Sequence, residues 1–284
     1  MQLLKGGSTR MATLFHHRSA KDLGPAAVCP CCVMPLSRRR FVTAIAATTV
    51  GCFVAPWGEQ ALANEGLVEP RLMLKTPQDG RRTVALTLDA CPGGFDAKII
   101  AALVEWRVPA TLFVTGAWMH SNPTGLAMIL AHPDLFAIGN HGAHHVPAVL
   151  GERRIFGLRV AGDMDAIREE VGRGEEAIMA ATGAKPIWYR GATALYSPSA
   201  VPAIEGMGFS IAGYSLNADM GASLPADAVA YRMRQAKDGD VIIAHTNQPN
   251  RPSGAGVIAG VRALLDQDVR FVRLDALTQS VASV

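Results

Sequence analysis

Downstream of residue 63 the chain holds a single cysteine, Cys91; the other four, Cys29, Cys31, Cys32 and Cys52, all lie before that point. An intramolecular disulfide is excluded there, so stability has to come from a packed core. No stretch is long and apolar enough to be a convincing membrane span, so no integral membrane span is expected. Positive charge is also missing where it would matter. Residues 1–63 carry seven Lys and Arg against two Asp and Glu, leaving 20 basic and 22 acidic residues downstream, a net of −2 beneath the overall +3. The basic face of a nucleic-acid binder is therefore absent, and no nucleic-acid partner is expected. Internal repeats and low-complexity segments are lacking too.

What remains is a core-forming sequence. At 284 residues, 49% hydrophobic and 18% charged, it is long enough for one large domain of the barrel or doubly wound kind. The first 63 residues read differently. Ser37-Arg-Arg-Arg-Phe-Val42 is followed by a mildly apolar run, Phe41 to Pro56, and then by the small-x-small pattern Ala61-Leu62-Ala63. Together these make a twin-arginine signal peptide with cleavage after Ala63, so the export machinery is an expected partner and the periplasm or exterior the expected location. Residues 1–33, ahead of Met34, read either as an over-long start or as a long n-region. Residues 64–80 are expected to link the leader to a domain spanning 81–284.

Within that domain short apolar runs alternate with helical patterns. Strand candidates are Val84 to Leu88, Ala110 to Gly116, Phe136 to Asn140, Ile187 to Arg190, Phe209 to Ser215, Val241 to Ala244 and Phe271 to Leu274. Helices are expected over Ala97 to Trp106 behind an Asp96 cap, Asn122 to Ala131, Asp163 to Ala181 ending at Gly183, Ser199 to Gly206, Ala226 to Lys237 and Gly256 to Asp266. Seven strands separated mostly by helices predict an α/β fold, a distorted (β/α) barrel with about seven parallel strands.

Polar residues collect at the strand ends: Asp89, then His141 and His145, then Arg190, Asp219 and His245. A barrel brings such positions to one rim, where chemistry is done. Asp89 is a candidate base or ligand, with a turn or helix-cap carboxylate as the structural alternative. His141 and His145, four residues apart, are expected to share one side of a helical turn and hold a divalent metal, zinc or a neighbour in the transition series. His144 is expected to be exposed or to support that pair.

Thr87-Leu-Asp-Ala-Cys-Pro92, His141 to His145, Tyr189-Arg190, Asn217-Ala-Asp219 and Ile242-Ile-Ala-His245 resemble, in order, the five motifs of the polysaccharide deacetylases, carbohydrate esterase family four. The resemblance covers about residues 81 to 280. It implies a metal-dependent hydrolase that removes N-acetyl groups from amino sugars of a polysaccharide or peptidoglycan. Asp89 would then be the base, His245 the general acid, Asp219 the carboxylate that orients His245, and Arg190 the partner that keeps Asp89 ionised. His141 and His145 would hold the metal, most simply zinc, with cobalt, nickel or manganese as substitutes. The partner implied is a carbohydrate polymer or oligosaccharide.

Three departures stand out. Ala90 occupies the position of a second aspartate that usually supplies a third metal ligand. Cys91 beside it reads as a buried free thiol, with a thiolate ligand as the alternative. Arg190-Gly-Ala-Thr-Ala194 lacks the prolines and aromatic of the third motif, which leaves Thr193 at the oxyanion-binding position, and Met220 replaces a groove-lining tryptophan. Trp118 and Tyr196 are candidate sugar-stacking rings or else packing residues, and Asn247 is a candidate substrate contact. Two other functions remain open, a catalytically weakened carbohydrate-binding relative and a hydrolase of a small linear amide.

Overall fold

The computed structural model describes residues 66–276; the expected leader lies outside them. Ten strands and seven α-helices follow in order: β1 (Thr83–Ala90), α1 (Ala97–Glu105), β2 (Ala110–Val114), α2 (Gly116–Ser121), α3 (Pro123–Leu130), β3 (Phe136–Asn140), β4 (Arg154–Ile155), β5 (Leu158–Arg159), α4 (Met164–Thr182), β6 (Trp188–Tyr189), α5 (Ala200–Glu205), β7 (Ser210–Ile211), β8 (Leu216–Asn217), α6 (Ala226–Arg234), β9 (Val241–His245), α7 (Ser253–Leu265) and β10 (Arg270–Val272). Seven strands run side by side in the order β7-β6-β3-β2-β1-β9-β8, and β10 attaches to the start of β1. Every pairing in this sheet is parallel, so the expected distorted (β/α) barrel is what forms.

β1 lies at the centre and is buried along its whole length. Val84, Leu86, Leu88 and Ala90 join the cluster that packs under α1, α6 and α7. Alternation along the strand sends Ala85, Thr87 and Asp89 the other way, into the barrel, where Ala85 meets Phe113, Trp188, Ala212 and Val241. A strand covered on both faces has no exposed side, hence its nearly unbroken apolar sequence. Truncating Leu86 or Leu88 to Ala would cost about 2–5 kcal/mol.

The helix ends carry the expected chemistry. The Asp96 side chain caps α1 by accepting from Lys98 N, and Asp163 caps α4 through Ala166 N at 2.7 Å. Pro123 opens α3, and Gly183 closes α4 at φ 72°. Sequence patterning did not reveal β8, a two-residue strand too short to show a period, or the small antiparallel hairpin β4-β5. It also merged α2 into the loop before α3.

Among the described residues, the two edge strands β7 and β8 form no ladder with each other, which leaves a seam at the connection Ala212 to Ser215. The stretch expected to be a linker packs over it. From residue 66 onward Val68 bridges Tyr196, Met73 bridges Asp240, and Leu72 is buried against the barrel interior. Contact with the seam is close enough that a Cβ on Gly213 would lie 2.1 Å from the Pro70 carbonyl oxygen. Glu69 and Tyr214 hydrogen-bond across the same gap. Leu72 is buried and Pro70 and Leu74 are half-buried, while Leu67, Val68 and Met73 stay exposed, so the segment docks through a few residues where the open barrel leaves a hydrophobic strip to cover.

Candidate active site

All the strand-end residues converge. Asp89 lies one residue before the end of β1 and is the register partner of His245, which ends β9, so their side chains leave the same face of adjacent strands. Asn140 ends β3, and its amide braces the loop beyond by donating to Val171 O and accepting from Gly142 N. That loop does not make the helical turn expected for the histidine pair. It bends instead through Gly142 (φ 83°) and His145 (φ 68°), and the bend brings the two imidazoles edge to face with ring centroids 4.8 Å apart. A left-handed residue on each side of the bend achieves what one helical turn would have.

His141 is fully buried, and its Nδ1 lies 2.6 Å from the Arg190 carbonyl oxygen. A carbonyl only accepts, so Nδ1 carries the proton and Nε2 presents a lone pair. That Nε2 lies 3.4 Å from Cys91 Sγ and 3.7 Å from Asp89 Oδ2. Burial lowers the His141 pKa to about 4, against the pull of Asp89, so the ring is neutral at physiological pH, the state in which imidazole binds a metal. One donor atom from each of Cys91, His141 and His145 fits within 4.8 Å of the others, and all three residues are buried. The buried lone pair of fixed tautomer and its neighbouring sulfur and imidazole donors suit a transition-series cation.

Arg190, fully buried at the end of β6, organises the carboxylate. Its Nη1 donates to Asp89 Oδ1 at 2.8 Å and to Thr87 Oγ1 at 2.9 Å. Nε donates to Ala212 O and Nη2 to Gly213 O, both at 3.0 Å, and the guanidinium stacks 4.3 Å from the Phe113 ring centroid. One side chain thus fixes the Asp89 carboxylate and ties down the β7–β8 seam. Burial pushes the Asp89 carboxyl up, but the charges of Arg190, His141 and His245 outweigh it and hold its pKa below the ordinary value. Because His141 is neutral near pH 7, Arg190 is the principal cation that keeps Asp89 ionised there.

His245 is held twice by Asp219. Its backbone N–H donates to Asp219 Oδ2 at 2.7 Å, and its Nδ1 lies 2.9 Å from Oδ1. This carboxylate is fully buried and orients the ring, its contact falling on Nδ1 rather than Nε2. Thr193 sits in a short 3-10 turn after Arg190, itself at φ 69° in the left-handed region, with its hydroxyl buried and unbonded. Met220 is half-buried at φ 51°, its N–H bonded to Asn217 Oδ1. His144 is exposed.

The three candidate substrate contacts are buried. Trp118 donates from Nε1 to Gly94 O at 2.9 Å and packs edge-on against Phe95, so it supports the loop after β1. The Tyr196 hydroxyl accepts from Gly191 N at 2.6 Å and braces the turn beside Arg190. Neither ring offers a face to a sugar, which leaves the packing alternative. Asn247 is 1% exposed and donates to Pro92 O at 3.3 Å, tying the loop after β9 to that after β1.

Two contributors were missed from sequence. Thr87 lies two residues before Asp89 on the inward face of β1, and that spacing was the available signal. Glu170 interrupts the apolar stripe of α4 between Ile167 and Val171, yet it is buried. Its Oε1 accepts from His144 N at 2.8 Å and Val146 N at 3.1 Å, and its backbone carbonyl accepts from Ala143 N, so it clamps the loop that carries both histidines.

Comparison with known proteins agrees with this fold. The profile of the family described as polysaccharide deacetylase matches residues 76–212, which take in Asp89, Cys91, His141, His145 and Arg190. Asp219 and His245 fall beyond the match, and the fold brings them to the same rim. Among similar solved structures is a CE4 family pseudoenzyme from Bacillus anthracis, at 20% identity and TM-score 0.58, covering 70% of this chain and 66% of that one. This chain thus spans just under two thirds of that protein. The Bc1960 peptidoglycan N-acetylglucosamine deacetylase is similar at 22% identity and TM-score 0.60, with 74% and 94% covered. A family 4 acetyl xylan esterase from Clostridium thermocellum, in complex with a cobalt ion, follows at 22% and 0.56, with 69% and 89% covered. At these identities the likeness establishes a shared fold.

Proposed function

We propose for this chain, a polysaccharide deacetylase family member by its match over residues 76–212, that it is a metal-dependent hydrolase of N-acetylated amino sugars in a polysaccharide or peptidoglycan, exported by the twin-arginine route. The observation that carries the reading is the meeting, at one rim, of an arginine-paired carboxylate, two imidazole donors and a carboxylate-oriented histidine. A plain carbohydrate binder has no need for that combination.

His141 and His145 would hold a divalent cation, which would supply Lewis acidity toward the acetyl carbonyl and the attacking water. Asp89, kept ionised by Arg190, takes a proton from that water. His245 protonates the departing amine through Nε2, and Asp219 stabilises the imidazolium that this role requires. Amide hydrolysis needs a nucleophile, a polarised carbonyl and a proton for a poor leaving group, and these residues supply all three needs. The Thr193 backbone N–H is assigned to the developing oxyanion. Arg190 is a positioning residue.

The test is acetate release from a panel of acetylated chito-oligosaccharides, peptidoglycan fragments and simple amides, with zinc, cobalt, nickel or manganese added. Asp89→Asn and His245→Ala should each abolish release while the far-ultraviolet circular dichroism stays unchanged. Turnover retained in either variant refutes the roles assigned. Turnover confined to simple amides would favour the small-amide hydrolase. No turnover and no bound ion would favour a carbohydrate-binding relative.

A further inference from the structure

We propose that Cys91 binds the site's cation as a thiolate, completing with His141 and His145 a sulfur–nitrogen–nitrogen ligand set; this rests on the reading above that a divalent cation occupies the site. Ala90 has no donor atom, and its methyl group lies in the cluster under the helices. Cys91, just past the end of β1, reaches the histidines instead. The missing carboxylate is thereby replaced one residue later by a sulfur.

Geometry supports a shared ion over a simple thiol–imidazole contact. A tetrahedral zinc with Zn–S about 2.3 Å and Zn–N about 2.0–2.1 Å sets its sulfur and nitrogen ligands about 3.6 Å apart. Cys91 Sγ and His141 Nε2 are separated by 3.4 Å, and the third donor, on His145, lies within the 4.8 Å that encloses the set. The Nδ1–H bond to Arg190 O fixes the His141 tautomer so that Nε2 faces the sulfur. Charge is also consistent. One thiolate and two neutral imidazoles leave a divalent ion with a net +1, the same as the carboxylate set would. On binding, the S–H bond is replaced by a metal–sulfur bond and the proton leaves to solvent.

A soft ligand changes which ions the site prefers. Thiolate favours zinc and cobalt, whereas a carboxylate set also accommodates harder ions such as manganese and magnesium. Zinc should therefore compete effectively against a large excess of manganese.

The test uses the full chain, stripped with chelator and loaded with cobalt(II). The expected result is a near-ultraviolet sulfur-to-cobalt charge-transfer band. Replacing Cys29, Cys31, Cys32 and Cys52 together with Ser should leave the band in place; Cys91→Ser should abolish it and weaken cobalt and zinc binding on the order of 100-fold, at least what loss of a supporting residue costs a metal site. Cys91→Asp should recover much of the affinity without the band, which controls for misfolding. Cobalt binding and acetate release with no band, and with affinity unchanged in Cys91→Ser, would overturn the thiolate while leaving the deacetylase reading intact. A wild-type chain that binds no ion at all would overturn both.

Discussion

Replacing Arg190 by Met tests the centre of the arrangement. The substitution keeps a long apolar stem against Phe113 but removes the guanidinium, and with it the bonds to Asp89, Thr87, Ala212 and Gly213. The ion pair is buried on both sides, with side-chain exposures of 0% and 4%. Breaking one partner of such a pair costs about 3–5 kcal/mol, because the other charge is left buried. Each carbonyl orphaned at the seam adds about 1–3 kcal/mol where water cannot reach it. Against a total stability of about 5–15 kcal/mol, Arg190→Met should sit near the edge of folding. Equilibrium urea unfolding measures the loss, and a double-mutant cycle isolates its electrostatic part. Asp89→Asn removes the stranded charge, so the double variant should be more stable than additivity predicts by about 2 kcal/mol or more.

The pH dependence has a definite sign. In the wild type the depressed Asp89 pKa adds stability that is present above the unfolded value of 3.8 and is lost as pH falls through the folded value. In the variant, burial acts unopposed by Arg190 and favours the protonated form. The stability gap should therefore be widest at neutral pH and narrow as pH falls toward 4. A loss below 1 kcal/mol, additive variants, or a gap indifferent to pH would each refute the reasoning.

Asp219→Asn preserves shape but removes the charge that supports the protonated His245 ring, so turnover should fall about 10²–10⁴-fold with the fold intact, as read by acetate release. His141 predicts acid sensitivity in the metal-free protein. Its folded pKa of about 4 lies below the unfolded 6.5, so the unfolded chain takes up the proton first and stability drops by up to about 3 kcal/mol as pH falls from 6.5 to 4. His141→Asn should flatten that part of the urea-midpoint profile. Glu170→Gln weakens the acceptor that clamps the histidine loop, and zinc affinity measured by competition with a chromophoric chelator should fall about 10–100-fold.

Much of this was legible from sequence because strands buried on both faces announce themselves as apolar runs, and each run ends at its polar residue. Asp89, His141, Arg190 and His245 could be placed at strand ends without coordinates. What was hidden depends on direction. Alternation along β1 puts Ala90 under the helices and Cys91 on the Asp89 side, but nothing in Asp89-Ala-Cys91 says that the sulfur reaches His141. Likewise Trp118 and Tyr196 follow strand ends as a sugar platform would, and only their partners, Gly94 O and Gly191 N, show that they brace loops from within. Glu170 carries a charge inside the apolar stripe of α4, and no role for it was read from the sequence. Its burial follows from the close approach of the loop, where a Cβ on Gly142 would lie 2.3 Å from Oε1.

The segment before β1 has a practical corollary. A recombinant fragment cut at residue 81, the start suggested by strand patterning, would discard Val68, Pro70 and Leu72 and open the barrel wall to water beside Gly213, directly behind the guanidinium that steadies Asp89. Trimming for crystallisation or expression should stop short of residue 66, since residues 66–74 serve as the missing stave.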